Sequence, residues 1–200
     1  MSDELLILAS ASPRRRNLLA EIGLRFDVYP CPLSEPLRKP ATVAPAAWAE
    51  ALACFKAHAV AERFPGRWVL GADTIVVCGG ELLGKPDDVA DARRMLELQA
   101  GRATDVITGV CVLRRVERVR RMIGHEVTTV WMRNAPGERE AYLSSGDWRG
   151  KAGAYGIQDV ADRLVDCIEG SFSNVVGLPR TLVRRMLREV GVLPGSHPGR

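Results

Sequence analysis

The segment Trp68–Cys78 reads Trp-Val-Leu-Gly-Ala-Asp-Thr-Ile-Val-Val-Cys, a strand-like run with one carboxylate, Asp73, among apolar neighbours. Burying a carboxylate is costly unless it is paired or bound to metal, so any fold that encloses this strand must give Asp73 a partner. A neighbouring arginine or backbone amides would serve a structural aspartate. A metal ion or a substrate water would serve a functional one, as metal ligand or general base. Gly71 and Ala72 leave room for a ligand beside the strand.

The rest of the chain supplies the layers around that strand. Leu5–Leu8 is a short continuous apolar run of the kind buried on both faces of a sheet. Ser12 then stands as a helix N-cap, Pro13 at the first helical position, Leu18, Leu19 and Ile22 on one face, and Gly23 at the stop. Leu24–Tyr29 alternates as a half-buried strand with Leu24, Phe26 and Val28 inward, followed by a Pro-rich loop to Pro40. A helix is expected from Pro45 to Phe64, with an apolar stripe of Trp48, Leu52, Phe55 and Ala59 and with Lys56 at its border. Gly79-Gly80 reads as a hairpin turn, 88–99 as a helix, 103–115 and 118–132 as paired strands, and 136–145 as a helix closed by Gly146. Strands near 153–158 and 164–169 and a helix over 179–190 complete the pattern. This mixed order predicts an α/β fold with a mixed central sheet and flanking helices, in one domain over 1–193, with 194–200 as a disordered tail.

Composition removes several function classes. The net charge of +4, with 26% charged and 46% hydrophobic residues, is ordinary for a globular chain and excludes a disordered one. It is too small a charge to announce a nucleic-acid binder. No apolar run approaches the ~20 residues of a membrane helix. Met1-Ser2-Asp3-Glu4 lacks the basic flank of a secretory signal, so a cytoplasmic location and no membrane partner are expected. The five cysteines never form C-x-x-C and are expected to be reduced core thiols, while His58, His125 and His197 are too scattered to propose a zinc site.

Three basic segments remain. Arg14, Arg15 and Arg16 lie in the first turn of a helix, where the macrodipole disfavours cations. They fit there if an anion is held by backbone N–H groups, by the Ser10 and Ser12 hydroxyls and by guanidinium forks; the alternative is that they fan outward into solvent. Gly79–Lys85 has the spacing of a phosphate-binding loop, but Pro86 stands where its Ser or Thr should be. Lys85 still qualifies as a point charge toward phosphate. Arg114, Arg115, Arg118, Arg120 and Arg121 form a basic hairpin, either a solvated strand face or the surface of a non-catalytic regulatory or nucleic-acid-binding protein.

Five blocks in order carry a resemblance over residues 5 to about 190: Ala9–Arg15, Gly71–Thr74, Gly84–Pro86, Lys151–Gln158 and Gly170–Pro179. Together they resemble the Maf family of nucleoside triphosphate pyrophosphatases. The resemblance implies a Maf/ITPase-like fold with two lobes around a substrate cleft, a homodimer, and hydrolysis of a nucleoside triphosphate to the monophosphate and pyrophosphate. It also implies a divalent metal cation, Mg²⁺ or Mn²⁺. By position, Asp73 becomes the proton acceptor, and Ser10, Arg14 and Arg15 belong to the phosphate-binding turn. Glu35, Lys56 and Lys85 match the other charged site positions, Glu35 and Asp73 being the metal candidates. Arg14, Thr74 and Gln158 match positions tied to base selection, in the form of the branch acting on dTTP and UTP. Gln158 offers a donor and an acceptor to an imide edge, though an amide also satisfies buried backbone. Two departures stand out: the loop after the second strand retains only Glu35, and Gly150 precedes Lys151 where the family often has Asp.

Overall fold

The computed structural model describes residues 6–34, 40–157 and 163–194. Its elements are β1 (Leu6–Leu8), α1 (Pro13–Ala20), β2 (Phe26–Val28), α2 (Pro45–Ala61), β3 (Trp68–Cys78), β4 (Glu81–Leu83) and α3 (Val89–Gln99), then β5 (Ala103–Arg115), β6 (Val119–Met132) and α4 (Pro136–Ser145). A 3₁₀ turn at Ala152–Ala154 leads to β7 (Val165–Glu169), α5 (Phe172–Val176) and α6 (Arg180–Glu189). The strands form one mixed sheet in the order β2-β1-β3-β5-β6-β7, with β4 also on β3. β1 is parallel to β2 and β3, and the remaining pairs are antiparallel. The expected α/β architecture is therefore present.

The two faces of β3 and β5 lead to different layers, because successive side chains alternate. Val69, Ile75, Ile107 and Cys111 face α2. On the opposite face Leu70, Ala72, Val110 and Val112 pack with residues of α1 and α6. Farther along that face, Val76, Cys78 and Val106 pack with α3 and α4. Two core clusters thus share one face of the sheet, one on each side of a cleft.

The helix α2 turns a different face inward from the one its large residues suggest. Its buried residues are Ala49, Leu52, Ala53, Lys56, Ala57, Val60 and Ala61, while Trp48 and Phe55 are only partly buried. The reason lies across the sheet. A Cβ on Gly71 would stand 2.2 Å from the Ala53 carbonyl oxygen, and one on Gly109 would stand 2.3 Å from that of Ala49. Two glycines in the sheet let the helix backbone approach closely, and only a row of small residues fits that approach. Lys56 lies beside this row on the same buried face and is carried into the interior.

The strand β2 lies at the sheet edge and is only three residues long, so Val28 is 42% exposed rather than inward. Of the strand expected near 153–158, Gly153 and Ala154 lie in the 3₁₀ turn with φ of 67° and 62°, and 155–157 form no strand. Successive positive φ values are incompatible with extended backbone. The short helix α5 is too brief to show a periodicity, but its cap is visible: Ser171 Oγ accepts from Asn174 N at 3.2 Å. All five cysteines are unpaired, yet only Cys78 and Cys111 are buried; Cys167 is exposed on β7.

The glycine seam generates a stability prediction. Gly109→Ala should lower the unfolding free energy by about 1–3 kcal/mol, the range of overpacking, because α2 must move away. Gly137→Ala on α4, where a Cβ meets nothing within 4 Å, should be neutral or stabilising by up to about 1 kcal/mol. Urea unfolding of the two variants checks the contrast.

Candidate active site

The strands β1 and β4 share one edge of β3 without meeting. β1 pairs at Val69 and Leu70, and β4 pairs at Val76, Val77 and Cys78. Between them, no described strand covers Gly71–Ile75 on that edge. A strand interior is normally reachable from neither face, but an uncovered edge exposes both. A cleft of about 540 Å³ opens there, and both Asp73 and Thr74 line it although they point to opposite faces.

One wall is the turn between β1 and α1. Ser12 N donates to Ser10 Oγ at 3.2 Å, and Arg15 N donates to Ser12 Oγ at 3.4 Å, so both hydroxyls shape the helix start. The three arginines diverge. Arg14 lines the cleft and makes no ion pair among the described residues. Arg15 also lines it, with Nε donating to Gly177 O at 2.9 Å and one terminal nitrogen donating to Thr74 Oγ1 at 3.0 Å. Arg16 is exposed and lies outside the lining.

The floor carries the carboxylate that the sequence left without an assigned partner. Asp73 Oδ1 accepts a hydrogen bond from Lys56 Nζ, and each residue is 7% exposed. The partner is thus a lysine from α2, rather than an arginine or backbone amides. Asp73 Oδ2 has no hydrogen bond among the described residues, which leaves one carboxylate oxygen toward the cleft for chemistry.

The other wall comes from the second lobe. Gly79 and Gly80, at φ of 57° and 83°, close the β3–β4 hairpin, so the P-loop-like spacing is a turn. Lys85 follows β4, is exposed, and lines the cleft. The Gly84 carbonyl accepts from Gly153 N at 2.9 Å, which ties this loop to the 3₁₀ turn. Lys151 at the start of that turn also lines the cleft and is 8% exposed, with Nζ 3.5 Å from Tyr142 Oη. Sequence spacing does not assign Lys151 to the site; the available signal is a cation immediately before the Ala152-Gly153-Ala154 turn. Glu35 and Gln158 lie outside the described residues.

The described lining therefore holds Arg14, Arg15, Lys56, Lys85 and Lys151 against one carboxylate. Such an excess of fixed cations in a concave site selects a polyanion. The described residues contain no cluster of three His, Cys, Asp or Glu side chains. One carboxylate with a free oxygen nevertheless suits Mg²⁺, which is commonly held by one or two carboxylates together with substrate phosphates and waters. The hairpin arginines are elsewhere: Arg115 pairs with Glu62 at 3.1 Å, and Arg114 stacks over Trp68 at 5.9 Å.

The buried pair makes a testable energetic statement. Lys56→Met strands a buried carboxylate and should cost about 3–5 kcal/mol, whereas Lys56→Met combined with Asp73→Leu should recover most of that loss. Thermal and urea unfolding of the single and double variants check it.

Known proteins resemble this chain over most of its length. The chain matches the model of the Maf-like protein family over residues 5–190. It is 48% identical over 188 residues to a dTTP/UTP pyrophosphatase of Moorella thermoacetica, covering 94% of this chain and 95% of that one. A dTTP/UTP pyrophosphatase of Geobacter sulfurreducens is also 48% identical, over 94% and 97% of the two chains. One from Myxococcus xanthus is 46% identical, over 94% and 93%. A solved nucleoside-triphosphatase / dITP/XTP pyrophosphatase of Mycobacterium abscessus is 13% identical, with a TM-score of 0.45 over 94% and 97% of the chains. Matching the family model over residues 5–190 and a relative at 48% identity over 94% of its length, this chain belongs to the Maf family.

Proposed function

We propose that this protein is a nucleoside triphosphate pyrophosphatase that hydrolyses dTTP and UTP to the monophosphate and pyrophosphate. The observation that carries the reading is the Asp73–Lys56 pair, held at an uncovered strand edge among cations from three different loops and helices. The names of the curated relatives supply the base preference. A non-catalytic nucleic-acid-binding protein working through Arg114–Arg121 is the lesser reading, because two of those arginines are already engaged with Glu62 and Trp68.

In this reading the phosphates lie among Arg14, Arg15, Lys85 and the helix start near Ser10, where fixed donors neutralise charge without reorganising. Lys56 fixes the Asp73 carboxylate through Oδ1. Asp73 Oδ2 then accepts a proton from the water that attacks the α-phosphorus, a base contribution of about 10²–10⁴ in rate. The bond from the α-phosphorus to the bridging oxygen breaks, and its electron pair leaves with pyrophosphate. A divalent cation, Mg²⁺ or Mn²⁺, held by Asp73 and by Glu35, would neutralise phosphate charge. Arg14, Thr74 and Gln158 are assigned to base selection. The protein would act as a cytoplasmic homodimer, for which light scattering should give twice the chain mass. Among the described residues no helix is long and apolar enough to cross a membrane.

The test is a panel of nucleoside triphosphates with Mg²⁺, read by pyrophosphate release. dTTP and UTP should be fastest, and Asp73→Asn should lower kcat by about 10²–10⁴, assayed well below its melting temperature because the neutral amide leaves the buried Lys56 ammonium without a counter-charge. Absence of release, or equal release from Asp73→Asn, would remove the reading.

A further inference from the structure

Arg15 is held by a hydrogen-bond chain whose direction can be assigned from its far end. Thr108 Oγ1 lies 3.1 Å from the Asn174 carbonyl oxygen, which can only accept, so the single Thr108 proton is spent there. Thr108 must then accept from Thr74, whose Oγ1 is 2.9 Å away, and that consumes the Thr74 proton. Thr74 is left with a lone pair, and Arg15 donates into it at 3.0 Å. The chain therefore runs in one direction, from Arg15 through Thr74 and Thr108 to the backbone of α5. It closes on itself, because Arg15 Nε donates to Gly177 O at the end of the same short helix.

α5 is itself fixed. Asn174 is fully buried, and its Nδ2 donates to Val106 O at 3.0 Å and to Thr128 Oγ1 at 2.9 Å, anchoring it to β5 and β6. Thr128 Oγ1 also accepts from Ser171 N at 3.0 Å. Three threonine hydroxyls on adjacent strands and one asparagine thus transmit the position of a five-residue helix to a guanidinium at the cleft. Arg15 has five N–H donors in a planar fork. Two of them are spent on this ring, which fixes the plane of the guanidinium where it lines the cleft.

We infer that Thr108 is a positioning residue for triphosphate binding, acting only through Thr74 and Arg15, with Asn174 as the fixed end of the chain. Thr108 is fully buried and lies outside the cleft lining. Val in its place keeps the shape, removes the acceptor for Thr74, and frees the Thr74 hydroxyl to rotate its proton toward Arg15, where donor meets donor. Ser in its place keeps the chain. The inference rests on the reading of the cleft as a triphosphate site.

The experiment is a double-mutant cycle over wild type, Thr108→Val, Arg15→Lys and the double variant, with Thr108→Ser as the rescue. Each protein is titrated calorimetrically with inorganic tripolyphosphate, assayed for kcat and KM with dTTP, and melted. Thr108→Val should weaken tripolyphosphate binding and raise KM by about tenfold, the scale of one directed hydrogen bond to a charged group. In the Arg15→Lys background the same substitution should change both by less than about twofold, because the guanidinium through which Thr108 acts is already gone. Thr108→Ser should bind as wild type does. Equal losses in both backgrounds, or no loss in the wild type, would overturn the inference. Coupled tripolyphosphate binding without dTTP hydrolysis would uphold it while removing the pyrophosphatase reading, and failure of wild type to bind tripolyphosphate would remove both.

Discussion

The approach of α2 to Gly71 and Gly109 sets the rest of the structure. With a Cβ at either position, the helix would have to retreat, since the nearest backbone oxygens stand 2.2 Å and 2.3 Å away. Because the helix is so close, its sheet-facing row must be small, and Ala49, Ala53 and Ala57 fill it. Lys56 lies beside that row on the same buried face, between Leu52 and Val60, and there its ammonium meets Asp73. A buried ion pair contributes little net stability, because desolvation offsets attraction, but breaking it is costly. Its place at the floor of the cleft argues that the pair serves the cleft and not the core.

The cleft follows from a second constraint. β1 is too short to cover more than the first part of β3, and the chain leaves it at Ala9 to build the turn of Ser10–Ser12. β4 covers the far part as a hairpin arm. The interval at Gly71–Ile75 gives the cleft access to both faces of one strand, so Asp73 and Thr74 serve the same site through different layers. Asp73 is oriented from α2 and Thr74 from α5, and Arg15 at the cleft is oriented in turn by Thr74.

Much of this was legible in the sequence where the signal was local. A carboxylate in an apolar strand, a Ser-Pro start to a helix and a Gly-Gly hairpin each state a short-range requirement, and Asp73, Ser12 and Gly79-Gly80 sit as read. The paired strands β5 and β6 begin and end within a residue of their expected bounds. What was not legible depends on residues distant in the chain. The inward face of α2 is chosen by Gly71 and Gly109, so of the stripe Trp48, Leu52, Phe55 and Ala59 that hydrophobic spacing selects, Leu52 is buried while Trp48, Phe55 and Ala59 are only partly so. The turn at Ala152–Ala154 is fixed by its bond to Gly84 and by its contact with Val76. Lys151 reaches the cleft only because that turn forms.

The central claim is that the uncovered edge of β3 delivers the Asp73–Lys56 pair to the α-phosphate of a bound triphosphate. A crystal structure of the Asp73→Asn variant soaked with dUTP and Mg²⁺ tests it most directly. The account predicts the α-phosphorus beside residue 73, with the outer phosphates between Arg14, Arg15 and Lys85. A nucleotide seated instead on the hairpin of Arg114–Arg121, or in the cleft with its phosphates turned away from residue 73, would contradict it.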